Sequence, residues 1–465
     1  MNATQNNGHT RTVDEKRALL KKLLAERAAR ADDTAAEDDE SRPLARSSRN
    51  DWDDIPAENY QFERSPEYLN LTTQMAAAAG MGIHYPFFKV VEPGAGALAL
   101  VNGRECINFS GYNYLGMSGD PVVSRAAIDA IEKFGTSASA SRLVAGQRPI
   151  HLELERALAE HLRVDDCLAF VTGYLTGVTT IGHLFKPGDL IVHDSLIHNC
   201  TLIGSKLSGA QTVAFPHNDA GALEQILRGL RGKYRRALIL IEGIYSMDGD
   251  IADLPRFIEL KRRFKTFLMV DEAHSIGVLG QTGRGIGEHF GVDSREVDLW
   301  MGTLSKAMGS CGGYIAGSRA LIDYLRHTVP GFVYSVGMPP PVAAAALAAL
   351  KLLRDQPWRI DRLREMSRLF LDRARARGLN TGSSRDTPVI PVIIGDSRLC
   401  GVLAQALYLR GINIQPIIFP AVEDRASRLR VFLTCLHTES QVSSSVDIVA
   451  EELRRLNGRP QGGER

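Results

Sequence analysis

A carboxylate and a histidine follow a short apolar run near the middle of the chain. Residues 266–270 are typical of a buried strand, and they lead to Asp271, with His274 three residues further on. A carboxylate at the end of a buried strand costs free energy unless a cation lies against it. The protonated nitrogen of a pyridine ring is such a cation, and the ion pair would keep the ring an effective electron sink. His274 would then be placed to reach a phenolic oxygen on the same ring.

A lysine lies among small and hydroxylated residues 35 positions after Asp271. The segment 302–309 reads Gly-Thr-Leu-Ser-Lys-Ala-Met-Gly, so Thr303 and Ser305 come shortly before Lys306. Both hydroxyls are placed to donate to a phosphate, and the glycines allow the backbone to approach it closely. A buried lysine amine has a lowered pKa, which suits Schiff-base formation. Taken alone, Lys306 is equally compatible with a surface lysine in a glycine-rich loop.

Together, the strand-end aspartate, the histidine and the lysine have the arrangement of fold-type I pyridoxal-phosphate enzymes. From about Phe87 to Leu456 the chain resembles the α-oxoamine synthase family, which includes 2-amino-3-ketobutyrate ligase, aminooxononanoate synthase, aminolevulinate synthase and serine palmitoyltransferase. Matching segments occur in the family's order, among them Asn-Tyr-Leu-Gly at 113–116, Thr-Gly-Tyr at 172–174, Ser-Met-Asp-Gly-Asp at 246–250 and Arg-Leu-Arg at 428–430. The resemblance implies pyridoxal 5'-phosphate as the cofactor and a homodimer with active sites between its subunits.

The resemblance also assigns roles to individual residues. Lys306 would form the Schiff base, Asp271 would pair with the ring nitrogen, and His274 would contact the phenolic oxygen. His198 would stack on the ring, and Arg430 would clamp the substrate carboxylate bidentately. The predicted catalytic residues are Lys306, His198, Asp271 and His274. The predicted cofactor-binding residues are Gly173, Tyr174, His198, Glu242, Ser246, Asp271, His274, Thr303, Lys306 and Ser335; the predicted substrate-binding residues are Asn113, Tyr114 and Arg430; no metal site is predicted.

Two segments depart from the family pattern. In the segment that contacts the cofactor phosphate from the partner subunit, Val336 and Gly337 replace frequent Thr and Ser, which leaves Ser335 as the hydroxyl. Some members carry an arginine upstream of the Arg-Leu-Arg strand, where this chain has Ile418 or Phe419. The second departure predicts a more apolar acyl channel.

The elements that position these residues follow from the hydrophobic pattern. Apolar runs at 167–172, 190–193, 237–242, 266–271 and 299–303 alternate with helical patterns at 151–161, 220–230 and 254–264. This alternation predicts an α/β fold with a mostly parallel sheet, in which ligands bind at the carboxyl ends of the strands. After about Leu350 a long helix, strands at 389–394 and 430–434 and a helix at 446–456 predict a smaller α+β domain. The predicted divisions are an N-terminal extension (1–57), an N-terminal arm (58–105), a large cofactor-binding domain (106–350) and a small C-terminal domain (351–465).

The first fifty residues have a different pattern. A capping box at 12–15 precedes an amphipathic helical pattern at 16–30, and residues 32–49 have the composition of a disordered linker. The helical pattern and the run 60–88 resemble segments of assembly-line proteins and of the family members associated with them. An acyl carrier protein is therefore one possible partner of the N-terminal helix. A terminal extension without a role is equally compatible with the sequence.

The composition limits the remaining possibilities. The 465 residues have a formal net charge of +1, which predicts neither a nucleic-acid partner nor an anionic membrane partner. The six cysteines form no Cys-x-x-Cys pair, so neither a zinc site nor a disulfide framework is expected. The Ala-rich run 342–350 is too short to span a bilayer, and no signal-peptide pattern is present. A cytoplasmic location is expected.

These observations predict one reaction. A small amino acid (glycine, alanine or serine) would condense with an acyl thioester on coenzyme A or a carrier protein, with loss of carbon dioxide, to give an α-aminoketone. One alternative is a fold-type I aminotransferase, which would share Asp271 and Lys306 but release no thiol. A non-enzymatic alternative is the inactive partner subunit of a heteromeric synthase, although such subunits lack the lysine.

Overall fold

The computed structural model describes residues 52, 54–80, 86–92 and 96–458, and the chain divides into two units after Ala76. In the first unit, single turns of 3-10 helix lie at Ala57–Asn59 and Phe62–Arg64, and a helix begins at Pro66. The predicted helix over 16–30 and the predicted linker over 32–49 lie outside the described residues, as does part of the run 60–88.

Several helices begin with a side-chain cap that stabilises their first turn. The helix α2 (Pro121–Phe134) begins with a proline after Asp120, whose side chain accepts a hydrogen bond from the backbone N–H of Val122. The last helix begins with a capping box between Thr438 and Gln441. The helices are α1 (Pro66–Gly80), α2 (Pro121–Phe134), α3 (Pro149–Leu162), α4 (Gly173–Leu184), α5 (Asn199–Ser208), α6 (Ala220–Leu230), α7 (Leu254–Phe264), α8 (Ile286–His289), α9 (Arg319–Thr328), α10 (Pro330–Val333), α11 (Pro340–Asp355), α12 (Trp358–Ala376), α13 (Ser397–Leu409) and α14 (Glu439–Asn457).

The strands form one large sheet and two small ones. They are β1 (Leu98–Val101), β2 (Arg104–Asn108), β3 (Asp166–Phe170), β4 (Leu190–Asp194), β5 (Gln211–Phe215), β6 (Ala237–Glu242), β7 (Phe267–Asp271), β8 (Leu299–Thr303), β9 (Gly313–Gly317), β10 (Val389–Ile393), β11 (Ile412–Asn413), β12 (Gln415–Ile417) and β13 (Arg428–Phe432). The strand order in the large sheet is β3-β9-β8-β7-β6-β4-β5. All pairs in it are parallel except those of β9, so the predicted α/β fold with a mostly parallel sheet is confirmed.

The hydrophobic pattern of the large sheet reflects burial on both faces. Every residue of β4, β6, β8 and β9 is buried, as expected for strands covered by helices on both sides. The helices α6 and α7 and the strands β6 and β8 have the predicted bounds. The predicted strand at 430–434 is two residues too late, because β13 begins at Arg428. The hydrophobic pattern of the chain does not predict β9.

The two small sheets connect distant parts of the chain. In one, β13 lies between β10 and β12 in antiparallel pairing. The helices α12 and α14 pack against each other, and α12 also contacts β10. In the other, the hairpin β1–β2 is extended by β11, which pairs in parallel with β2. Across the described parts of the chain, no helix is long and apolar enough to cross a membrane.

Candidate active site

Neighbouring strands of the large sheet end at one cavity of about 470 Å³. There, β6 ends at Glu242, β7 at Asp271 and β8 at Thr303, and their carboxyl ends meet because the strands run parallel. The predicted residues that line this cavity are Gly173, Tyr174, His198, Glu242, Ser246, Asp271, His274, Thr303, Lys306 and Arg430. Residues that are up to 257 positions apart in the chain thus share one site.

Lys306 belongs to a chain of hydrogen bonds that leads into the core. Its Nζ is 2.8 Å from His274 Nε2, and His274 Nδ1 is 2.6 Å from Tyr114 Oη. Burial lowers the pKa of Lys306 to about 8, although the negative charge of Asp271 opposes the shift. Burial and the charge of Lys306 hold the pKa of His274 well below its ordinary value, so the imidazole is neutral. The amine of Lys306 therefore has a neutral form accessible near physiological pH, as nucleophilic and basic roles require.

Two carboxylates lie side by side in the cavity wall. Glu242 and Asp271 are partners in the register of β6 and β7. Asp271 Oδ1 accepts a hydrogen bond from Ala273 N at 2.9 Å, and Glu242 Oε2 accepts one from Ser246 N at 3.2 Å. Burial raises the pKa of Glu242 well above its ordinary value, and the charge of Asp271 adds to this effect. Glu242 Oε1 is buried and has no hydrogen-bond partner among the described residues, so this wall suits a bound cation or hydrogen-bond donor.

Another part of the cavity wall has the features of an anion site. The α4 helix starts here at Gly173, and Thr172 caps it by accepting from Leu175 N. Thr303 Oγ1 lies 2.7 Å from Ser305 Oγ, so two hydroxyls meet beside the helix N-terminus. A Cβ atom at Gly173 would lie 2.7 Å from Thr303 Oγ1, which explains why a glycine is needed here. Free N–H groups of a helix start and adjacent hydroxyls together favour a phosphate.

Arg430 projects into the cavity from the small antiparallel sheet. It donates to Ser246 O at 3.3 Å and to the hydroxyl of Tyr112 at 3.2 Å. Its Nε has no hydrogen-bond partner among the described residues. The Tyr112 ring also lies 5.5 Å from Lys306 Nζ. Tyr112 was not among the predicted site residues, although it directly precedes the matching segment at 113–116.

His198 begins the helix α5 as its N-cap. Its Nδ1 accepts a hydrogen bond from Cys200 N at 3.3 Å and lies 3.1 Å from Cys200 Sγ. These contacts fix the ring while its other edge remains open to the cavity. Burial lowers the pKa of His198, and the positive charge of Lys306 adds to the shift, which favours a neutral ring.

A second polar cluster, which the sequence does not predict, supports the loop of residues 246–250. His217 follows β5, and its ring nitrogens lie 3.0 Å from Asp194 Oδ1 and 2.9 Å from Asp250 Oδ2. Both ring nitrogens must donate, so the imidazole is charged. Burial opposes this charge, but the hydrogen bonds to the two carboxylates outweigh it and raise the pKa of His217 to about 10. Tyr245 also donates to Asp194, at 2.9 Å.

Comparison with known proteins agrees with this geometry. The family model described as aminotransferase class I and II matches residues 104–449. An 8-amino-7-oxononanoate synthase from Symbiobacterium thermophilum is 40% identical over 375 residues, which cover 81% of this chain and 95% of that protein. One from Thermoanaerobacter pseudethanolicus is 37% identical over 373 residues, covering 80% and 94%. The chain belongs to the α-oxoamine synthase family.

Solved structures extend the comparison to the fold of this α-oxoamine synthase. A serine palmitoyltransferase from Sphingomonas wittichii matches with a TM-score of 0.81 and 29% identity, over 85% of this chain and 99% of that one. An SPT structure with a PLP internal aldimine matches with a TM-score of 0.81 and 28% identity, over 84% and 98%. The fold is that of fold-type I pyridoxal-phosphate enzymes, and the chain is a pyridoxal-phosphate-dependent acyltransferase.

The residues of this synthase fit the cofactor. The helix start at Gly173 with Thr303 matches a phosphate, the carboxylate of Asp271 matches a protonated ring nitrogen, and the amine of Lys306 matches an aldehyde. The carboxylate of Asp271 is buried at the end of β7, and such burial is costly unless a cation lies against it.

Three predicted residues lie elsewhere. Tyr114 is fully buried and lines neither this cavity nor another described one; its hydroxyl contacts His274. Asn113 lines a neighbouring cavity and exchanges two hydrogen bonds with Ser118. Ser335 lies outside the active-site cavity of its own chain, and its hydroxyl donates to Val336 O. A phosphate contact by Ser335 therefore requires a second subunit and stays a prediction.

Proposed function

We propose that this synthase condenses glycine, alanine or serine with an acyl thioester, releasing carbon dioxide and a thiol. The observation that best supports this reaction is that Arg430 and Lys306 line the same cavity. An arginine can hold the substrate carboxylate while the lysine amine reaches the α-proton. One of the similar solved structures is a serine palmitoyltransferase, which is an acyl-transferring enzyme by its name.

Binding of the amino acid depends on groups without a full set of partners. Arg430 has an unpartnered Nε and donates to Tyr112 and Ser246, so its guanidinium is held at the cavity wall. A carboxylate would accept from Arg430 and from His198. These two contacts would orient the carboxylate so that its bond to the α-carbon can be broken after condensation. Held in this way, the substrate loses its freedom to rotate before reaction, which is an entropic contribution to catalysis.

Proton transfer falls to Lys306. Its pKa of about 8 means that a substantial fraction of the amine is neutral near that pH and can accept the α-proton. His274, 2.8 Å away and neutral, can hold a hydrogen bond to the amine without competing for the proton. When bound, pyridoxal phosphate supplies the electron sink that makes the α-proton acidic. Lys306 then returns the proton to carbon after carbon dioxide has left.

A thiol-release assay tests the proposal. Purified holoenzyme is mixed with octanoyl-coenzyme A and each of the three amino acids, and free thiol and carbon dioxide are measured together. The proposal predicts equal amounts of both products with one amino acid. Transamination without thiol or carbon dioxide would favour the aminotransferase. An inert, colourless protein would favour the inactive partner subunit.

Two partners remain part of the proposal. A homodimer would allow Ser335 of one protomer to reach the phosphate of the other, and Tyr334 next to it is 86% exposed in the single chain.

The second proposed partner is a carrier protein docked through residues 16–30. Deleting residues 1–50 should then reduce the rate with carrier-bound donors and leave the rate with coenzyme A donors unchanged. Equal effects on both donors would contradict docking.

A further inference from the structure

The imidazole of His274 is held at both of its ring nitrogens. Its Nδ1 lies 2.6 Å from the hydroxyl of Tyr114, and its Nε2 lies 2.8 Å from Nζ of Lys306. A half-turn of the ring would put a carbon in place of each nitrogen and break both contacts. The ring therefore faces the reacting amine in one orientation, and what remains to be settled is which nitrogen carries the proton.

The hydroxyl of Tyr114 decides where this proton lies. Tyr114 is 0% exposed, and among the described residues its hydroxyl has no hydrogen-bond partner other than Nδ1 of His274. Burial raises the pKa of Tyr114 well above its ordinary value, so the phenol keeps its proton. Because a buried O–H group without an acceptor is unfavourable, the hydroxyl donates to Nδ1. The imidazole is neutral, so its own proton lies on Nε2.

The position of this proton matters for the amine of Lys306. An N–H group on Nε2 can donate to a neutral amine, but it offers no acceptor to an ammonium group. The opposite tautomer of His274 would present a lone pair to the ammonium group and stabilise its charge. The tautomer set by Tyr114 thus favours the uncharged form of the amine, which is the form that accepts a proton from carbon.

We propose that Tyr114 is a positioning residue, whose hydroxyl fixes His274 as the tautomer with its proton on Nε2 and thereby favours the neutral amine of Lys306. Tyr114 does not line the active-site cavity, so it acts through His274 alone. The inference rests on the proposed function for the task of the amine, but the tautomer can be measured without turnover. With the cofactor bound, the same N–H group would be available to its phenolic oxygen, the contact expected for His274.

The other groups around the amine are unchanged when the Tyr114 hydroxyl is removed. Burial has the largest effect on Lys306 and lowers its pKa to about 8, while the charges of Asp271 and Glu242 oppose the shift. A change in the pKa of Lys306 that follows loss of the hydroxyl would therefore arise through His274. Among the described residues, the titratable and charged groups around Lys306 are Asp271, Glu242, Arg430, Cys200, His198, His274 and Tyr112.

Nitrogen-15 NMR spectra measure the tautomer directly. The full-length enzyme is labelled on its histidine ring nitrogens and studied with and without the cofactor, and a His274→Gln variant identifies the signals of His274. Wild type should show a protonated Nε2 and an unprotonated Nδ1, whereas Tyr114→Phe should show a mixture of both tautomers. Tyr314→Phe is the matched control and should keep the wild-type spectrum. Tyr314 is also fully buried, but its hydroxyl has no hydrogen-bond partner among the described residues.

The pKa of Lys306 provides a second measurement. Enzyme freed of cofactor is labelled with acetic anhydride over a range of pH, and the modified Lys306 peptide is quantified by mass spectrometry. In Tyr114→Phe the pKa of Lys306 should rise from about 8 by about one pH unit, because His274 can then accept from the ammonium group. In Tyr314→Phe it should stay at the wild-type value.

Two results would overturn the inference. One is a protonated Nδ1 of His274 in wild type, a result that does not depend on whether Tyr114→Phe folds. The other is a folded Tyr114→Phe variant that keeps the wild-type tautomer or the wild-type pKa of Lys306. Failure of the proposed reaction is seen separately, as absence of thiol release from an enzyme whose His274 still carries its proton on Nε2.

Discussion

Replacing His217 by glutamine should destabilise the fold in a pH-dependent way. The imidazolium lies between Asp194 and Asp250, and glutamine can donate to one of these carboxylates but carries no charge. A pKa of about 10 against the ordinary 6.5 corresponds to at most about 5 kcal/mol, at 1.4 kcal/mol per pH unit. Because the His217 side chain is 23% exposed, screening by solvent reduces this to about 3 kcal/mol.

The pH dependence of this loss has a defined direction. The pKa of His217 is higher in the folded than in the unfolded protein, so its contribution is complete below about pH 6.5 and disappears as pH rises through about 10. Burial opposes the shift of Asp194, but its hydrogen bond to His217 lowers its pKa, so that contribution disappears as pH falls below its ordinary value of 3.8. The difference between wild type and His217→Gln should therefore be largest near pH 6 and small at pH 10.

Urea unfolding of both proteins from pH 6 to pH 10 measures this difference. His327→Gln is the matched control, because His327 is exposed and contacts only a backbone carbonyl of its own helix among the contacts described. His217→Gln should also raise KM for the amino acid about threefold, because His217 holds the loop of residues 246–250, which carries Ser246 into the active site. A loss that is equal at pH 6 and pH 10, or no larger than that of His327→Gln, would refute the role of the charge.

Three further changes address the active site. Tyr114→Phe removes the hydroxyl 2.6 Å from His274 Nδ1 and should lower kcat about tenfold with little change in KM; a change confined to KM would contradict a positioning role. Arg430→Lys loses the planar fork and should raise KM for the amino acid at least about tenfold, while spectral titration of the cofactor alone stays unchanged. Gly173→Ala places a Cβ 2.7 Å from Thr303 Oγ1 and should weaken cofactor binding at least about tenfold, measured by dialysis and reconstitution; unaltered affinity would contradict the assigned phosphate site.

The parts of the fold that the sequence predicted best are those with the strongest hydrophobic signal. The strands β6 and β8 are buried at every position, so each appears in the sequence as a continuous apolar run with clear ends. The β9 strand was missed because Gly-Tyr-Ile-Ala-Gly is short and begins and ends with glycine, which is unfavourable in strands. Only its pairing between β3 and β8 makes it a strand.

The residues of the candidate site also differ in whether the local sequence gives a signal for them. Asp271 and Lys306 could be found because each has a local signal, a strand end or a glycine- and hydroxyl-rich turn. The roles of Tyr112 and His217 depend on contacts with residues far away in the sequence. Tyr112 contacts Arg430, and His217 contacts Asp250. One signal for His217 is its position two residues after β5, at the carboxyl edge of the sheet where ligands bind in such folds.

Tyr114 illustrates a limit of assigning roles by resemblance. Its segment matched the family motif, and a substrate contact was predicted from that match. In the structure the ring is fully buried, and the hydroxyl reaches the active site only through His274. Within this short segment, Tyr112 and Asn113 thus line cavities, whereas Tyr114 lies in the core.

Trapping of the cofactor tests the central assignment most directly. Holoenzyme is treated with borohydride, digested, and the cofactor-modified peptide is identified by mass spectrometry, with Lys261→Arg and Lys306→Arg variants treated in parallel. We predict a single modified peptide carrying the adduct on Lys306 in wild type and in Lys261→Arg, and none in Lys306→Arg. An adduct on another lysine, or an unchanged yield from Lys306→Arg, would contradict the account.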